Sequence, residues 1–184
     1  MLRQKPKLKK LLRNIDLQSL FFQSSIEDIE IFFYKDSKKF IEDDYCQLYY
    51  LYDKKQAVVI GYFTLSMGSV RHEKDIPIKK YVERIPSTLI GRLGIHKFYE
   101  RKGWGTDLVK EAISLIIKLS QKIGCRCVYV DSLTTLNAIL FYLNLGFNFM
   151  DKNLGQMMLK QLKDQKKPQK NSIKMYFDLK KIKK

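Results

Sequence analysis

Apolar positions along the chain follow two rhythms. Leu108, Val109, Ala112, Ile113, Leu115, Ile116 and Leu119 recur at helical spacing, and Gly124 is placed to stop that helix. A second helix is expected from near Ile26 to about Phe40, with Ser24 or Ser25 as its cap and Glu27, Asp28 and Glu30 near its positive end. A third, shorter one follows Thr134 or Thr135 and ends at Gly146. The β rhythm occupies 46–52 and 57–66, joined through Asp53-Lys54-Lys55-Gln56 as a hairpin, then 88–95, 125–130, 147–150 and 175–179, with an edge strand at 8–13. Residues 67–86, with two prolines, read as irregular. The order is a mainly antiparallel sheet, then strand–helix–strand–helix–strand. It predicts an α/β domain whose sheet contains at least one parallel pair and is flanked by helices.

Length and charge refine this. A chain of 184 residues suits one domain spanning 1–184, with no internal repeat. No apolar run approaches the roughly 18 residues needed to span a bilayer. The basic start, Met1 to Lys5, lacks the apolar stretch of a signal peptide, so a cytoplasmic protein without a membrane partner is expected. Net charge is +16, concentrated at the ends: residues 1–13 hold six Lys/Arg and no acid, and residues 151–184 hold eleven Lys and three Asp. A basic mobile loop is expected at about 160–172. Such ends attract polyanions, nucleic acid foremost, although a lysine-rich composition alone also fills solvated tails with charge. Cys46, Cys125 and Cys127 are too few for a disulfide framework and complete no zinc set, so no metal is expected and they read as buried structural thiols.

The densest chemistry lies where residues 88–95 run through a short loop into the long helix. Arg101-Lys102-Gly103-Trp104-Gly105-Thr106 sets two glycines at a helix start. The first helical amides lack internal partners and the helix dipole adds positive potential, so the turn suits a pyrophosphate. Arg101 and Lys102 add charge and Thr106 adds a hydroxyl. The alternative is a plain turn leading into a helix. A third glycine and a Gly-Lys-Ser/Thr ending are both missing, which excludes the dinucleotide fingerprint and the triphosphatase loop.

This stretch resembles the Gln/Arg-x-x-Gly-x-Gly/Ala signature of the GNAT family of N-acetyltransferases, with Gly103 and Gly105 on its small positions. Residues 137–147, Asn-Ala-Ile-Leu-Phe-Tyr-Leu-Asn-Leu-Gly-Phe, resemble the family's second block, with its tyrosine at Tyr142. The resemblance covers about 46–150 and implies a GNAT-like sheet with a splayed central parallel pair. It also implies acetyl-coenzyme A as donor. Pantetheine would lie on the strand at Leu93, Gly94 and Ile95, and the diphosphate on Arg101 to Thr106. Tyr142 would be the general acid. Asn137 can reach the cofactor or cap its helix. One departure is Glu100, an acid where the family has Gln or Arg; Arg101 can substitute for it, or Glu100 can point away. The general base is left among Glu73, Glu83, Asp131 and a water. His72 and His96 read as surface residues.

Gly61-Tyr62-Phe63-Thr64-Leu65, Ile85-Pro86-Ser87, Gly91 to Ile95, Gly124-Cys125 and Val130-Asp131 resemble the toxin-type branch of that family, though Gly94 replaces that branch's usual alanine. The branch implies the α-amine of aminoacyl-transfer RNA as acceptor, with an antitoxin protein and a second copy of the chain as candidate partners. The alternatives are an acetyltransferase of a small amine or a protein amine, and a non-catalytic nucleic-acid-binding module on the same fold.

Overall fold

The computed structural model describes residues 6–73, 76–79, 81–168 and 170–182. Of the basic N-terminal segment, residues 1–5 lie outside the described residues. Among the described residues there are seven strands: β1 (Lys7–Lys10), β2 (Gln47–Asp53), β3 (Val58–Arg71), β4 (Arg84–Ile95), β5 (Cys127–Leu133), β6 (Asn148–Phe149) and β7 (Ser172–Asp178). The helices are α1 (Glu27–Ile31), α2 (Ser37–Glu42), α3 (Trp104–Leu119), α4 (Leu136–Asn144) and α5 (Lys152–Lys163). Strand order is β1-β2-β3-β4-β5-β7-β6. The β4–β5 ladder is parallel and covers only Ser87–Leu89 against Cys127–Tyr129, while β1–β2, β2–β3, β5–β7 and β6–β7 are antiparallel. The mixed, mainly antiparallel α/β class read from the sequence is the one observed.

The chain divides into two compact units, Met1–Ser66 with Ile90–Leu115, and Met67–Leu89 with Ile116–Lys184. In the first unit the expected hairpin forms because the Asp53 carboxylate accepts the amides of Lys55 (2.9 Å) and Gln56 (3.3 Å), and Ala57 takes φ +53°. The helix expected from 26 to 40 runs to Glu42 but changes pitch. A π turn over Phe32–Asp36 separates α1 from α2, and the buried Ser37 hydroxyl donates to the Phe33 carbonyl. Its start has no side-chain cap; the Ser24 hydroxyl instead accepts the Ile26 amide at 3.1 Å. Phe22, Phe32, Phe33, Leu48, Val59 and Tyr62 form the core of this unit.

The second unit departs further from expectation. The stretch 67–86 is not wholly irregular: β3 continues to Arg71 and β4 begins at Arg84, and the His72 amide donates to the Glu83 carbonyl at 2.9 Å. Gly68 and Ser69 hid the strand, because small residues carry no β signature. Gly68 is there for space, since a Cβ would meet the Tyr129 hydroxyl at 2.7 Å. Helix α5 is a second surprise. Asp151 caps it by accepting the Leu154 amide, Met158 and Gly155 are buried, and a Cβ on Gly155 would strike the Phe149 ring at 2.1 Å. Its run to Lys163 removes 160–163 from the expected loop. Arg126 and Asp178 form a bidentate ion pair (2.5 and 2.9 Å) that ties the approach to β5 to the end of β7. Cys127 is buried beside the Ser87 hydroxyl (3.1 Å), and Cys125 lies beside that of Thr88 (3.3 Å). No described helix is long and apolar enough to cross a membrane.

Candidate active site

The residues assigned to the cofactor gather in the first unit, apart from Asn137. Gly94 is held tightly. A Cβ there would meet Ile29 at 2.5 Å and Tyr62 at 2.8 Å, and its carbonyl lies 2.6 Å from where a Cβ on Gly61 would sit. Gly61 therefore lets β3 and β4 approach, and Gly94 makes room for the side chains packed over it rather than for a ligand. The amides of Arg92 and His96 donate into β3, to the Thr64 hydroxyl (2.9 Å) and the Ile60 carbonyl (2.8 Å). Strand alternation then turns the Gly94 amide towards β3 as well, and points the amides of Leu93 and Ile95 the other way. Of the three strand residues expected to hold pantetheine, Leu93 and Ile95 present usable donors, and Gly94 contributes its small size.

Past β4 the chain makes the expected turn. Arg101 takes φ +56° and Gly103 φ +88°, and nothing lies within 4 Å of a Cβ placed on Gly103. Glycine is needed there for its conformation and leaves the turn open on that side. Gly103 directly precedes α3, so no side chain caps that helix, and the first amides, of Trp104, Gly105 and Thr106, are the ones with no acceptor inside it. Arg101 and Lys102 are exposed, and the Lys102 ammonium donates to the Phe98 carbonyl at 2.7 Å, which keeps its charge at the turn. Glu100 is engaged elsewhere: its carboxylate accepts from the Ser25 hydroxyl. These residues fit a diphosphate.

Tyr142 and Asn137 lie on α4, in the second unit. Gly146, at φ +87°, ends the helix, and the Tyr142 carbonyl accepts the Phe147 amide at 3.0 Å. The phenol packs edge-on against Phe141 and Phe147, with ring centres 5.0 and 5.3 Å away. Burial pushes it up to about 12, so it holds its proton through the neutral range. Thr135 caps α4 by accepting the Ala138 amide, which leaves Asn137 exposed and without a capping role. Among the base candidates, Glu73 and Asp131 line one cavity of about 740 Å³ together with Met150, Asp151 and Lys174, whereas Glu83 is not part of its lining. Asp131 is already paired with Lys174 at 2.8 and 2.9 Å.

Both histidines correct the surface assignment. His72 Nε2 lies 2.6 Å from the Ile78 carbonyl. His96 is buried, 1% exposed, among Phe21, Phe22, Phe98 and Tyr99. Its Nδ1 accepts the Phe98 amide at 3.3 Å, which places the proton on Nε2, and Nε2 has no partner among the described residues. An orphaned buried donor costs about 1–3 kcal/mol. Desolvation, and then the neighbouring Lys97 charge, lower its pKa, so the ring is neutral. The phenylalanine-rich stretch at 21–22 was the available sequence signal, but no pattern in one sequence links it to position 96.

The Acetyltransferase (GNAT) family model matches residues 11–147, well over half the chain. The chain belongs to the GNAT family. A tRNA-acetylating toxin of Mycobacterium tuberculosis is 28% identical over 104 residues, which are 55% of this GNAT chain and 61% of that protein, less than two thirds of its length. A tyrosine-to-phenylalanine mutant of KacT matches in fold with TM-score 0.77 and 22% identity, covering 98% of both chains. AtaT complexed with acetyl-methionyl-tRNAfMet matches with TM-score 0.75 and 22% identity over 96% of both. At that identity the solved structures speak for the fold.

Proposed function

We propose that this GNAT chain transfers acetyl from acetyl-coenzyme A to the α-amine of aminoacyl-transfer RNA, as the cytoplasmic toxin of a toxin–antitoxin pair. The observation that carries the donor half is the turn at Arg101 and Gly103 opening onto an uncapped α3. The tRNA-acetylating activity named for the mycobacterial relative, the acetyl-methionyl-tRNAfMet in the AtaT complex and the basic chain ends support the acceptor half.

In this reading the amides of Trp104, Gly105 and Thr106 take the diphosphate charge, with Arg101 and Lys102 beside them. Leu93 and Ile95 present amides to the pantetheine arm and polarise the thioester carbonyl. The amine forms its bond to the carbonyl carbon as the carbon–sulfur bond breaks. The amine's proton leaves to water or to Glu73, and Tyr142 gives its phenolic proton to the sulfur. A phenol at about 12 is a weak acid, and donates only as negative charge develops on the sulfur. An α-amine titrates near ~8, so a substantial fraction is neutral without a strong base.

The test is incubation of labelled acetyl-coenzyme A with charged transfer RNA or with a panel of free amines. Label on the aminoacyl end of transfer RNA is expected. Label only on small amines or protein lysines would replace the acceptor, and no label on any amine would remove the enzymatic reading.

A further inference from the structure

A second cavity, of about 390 Å³, lies in the first unit and belongs to none of the machinery above except through Lys102. Its walls include Phe21, Val58, His96, Phe98 and Tyr99. Phe98 is 67% exposed and Phe21 55%, so two phenylalanines that line one cavity face water together. The backbone holds them rigidly. The Phe21 carbonyl accepts the Val59 amide, and the Gln23 carbonyl accepts the Lys97 amide, each at 2.8 Å. Both rings pack on His96, with centres 5.5 and 5.6 Å from it. Charge surrounds the rings: the Lys97 ammonium sits 5.1 Å from the Phe98 ring centre and that of Lys102 5.9 Å from Tyr99, while Lys54 and Lys55 precede Gln56, another wall residue, in its hairpin turn.

Rigid exposed rings, flanking lysines and a donor with no acceptor call for a flat ligand that has ring faces, a hydrogen-bond acceptor and an adjoining negative charge. We propose that this cavity is a nucleobase-stacking site that seats an unpaired base of the acceptor RNA on Phe98 and Phe21, with His96 Nε2–H as the donor to the base and the lysines on its phosphates. Stacking on exposed aromatics is tolerant of sequence and compatible with a basic track along the backbone. The inference rests on the transfer-RNA reading above and goes beyond it by naming where the polynucleotide is gripped away from the reacting amine.

The experiment titrates the full chain with a single-stranded oligoribonucleotide, its abasic counterpart and acetyl-coenzyme A. It uses wild type, Phe98→Ala, Phe21→Ala and Phe98→Trp. The expected result is about tenfold weaker RNA binding for each alanine variant. Phe98→Trp should retain binding, the abasic strand should bind wild type as weakly as RNA binds the alanine variants, and acetyl-coenzyme A affinity should stay unchanged throughout. Phe98 is exposed, so its replacement leaves the fold intact, and the tryptophan variant separates stacking from a packing defect. Equal binding of base-bearing and abasic strands overturns the proposal, as does RNA affinity indifferent to Phe98. Loss of acetyl-coenzyme A affinity in the alanine variants with RNA affinity unchanged would assign the cavity to the donor's adenine and overturn it too. RNA binding that ignores Phe98 removes only this site, whereas absence of RNA binding by wild type also removes the polynucleotide acceptor.

Discussion

In the proposed reaction, proton delivery depends on Tyr142. With its phenol at about 12, the acid form persists well above neutral pH. The rate should therefore rise through ~8 as the α-amine deprotonates and show no falling limb below about 10. Tyr142→Phe should lower kcat by about 100-fold or more and leave acetyl-coenzyme A binding in place, as read by single-turnover kinetics and calorimetry. His96 makes a different prediction, about stability. Its folded pKa lies below its unfolded value near ~6.5, so the unfolded chain binds the extra proton first. Stability is therefore full above the unfolded value and declines as pH falls below it. His96→Gln should flatten that decline in melts taken between pH 7 and 5. The helix that carries Tyr142 was legible because it is a block of neighbours along the chain. His96 was not, because its burial is made by Phe21 and Phe22, more than seventy positions away in sequence.

At the scale of elements, the close approach of β3 and β4 depends on the missing side chain of Gly61. Gly61→Ala would press a Cβ to 2.6 Å from the Gly94 carbonyl, a backbone atom that cannot swing aside. A loss of about 1–3 kcal/mol is expected in denaturant unfolding. Gly103→Ala meets no atom but must adopt φ +88°, costing about 1–2 kcal/mol locally, so it should weaken acetyl-coenzyme A more than it lowers the melting temperature. The helix α3 was legible from its apolar spacing: Leu108, Val109, Ala112, Ile113 and Ile116 are buried as the pattern requires. Helix α5 carried a comparable signal in Leu154, Met158 and Leu162 behind an Asp151 cap, obscured by the lysine content of the same segment. The tail of β3 carried almost none, since Gly68 is small where it meets Tyr129 and Ser69 beside it is no strand former.

For the whole molecule the distribution of charge bears on the proposed RNA partner. With +16 net and the excess at the two ends, RNA affinity should fall by about a thousandfold or more between 50 and 200 mM salt if six or more phosphates are contacted, measured by filter binding. Acetyl-coenzyme A affinity should change far less. A shallow slope for RNA would point to a small amine or protein acceptor. The fold class and the glycine turn before α3 could be read from sequence because both are local patterns, glycines before a helix and periodic apolar residues. The acceptor followed only from resemblance to the toxin-type branch, because it depends on surfaces assembled from distant segments. The account as a whole rests on the amides at the start of α3. Calorimetric titration of the wild-type chain with acetyl-coenzyme A and with acetyl-pantetheine, which lacks the diphosphate and the nucleotide beyond it, tests them. Two charge-assisted hydrogen bonds predict about 100-fold or more tighter binding of acetyl-coenzyme A; equal affinity for the two would contradict the cradle.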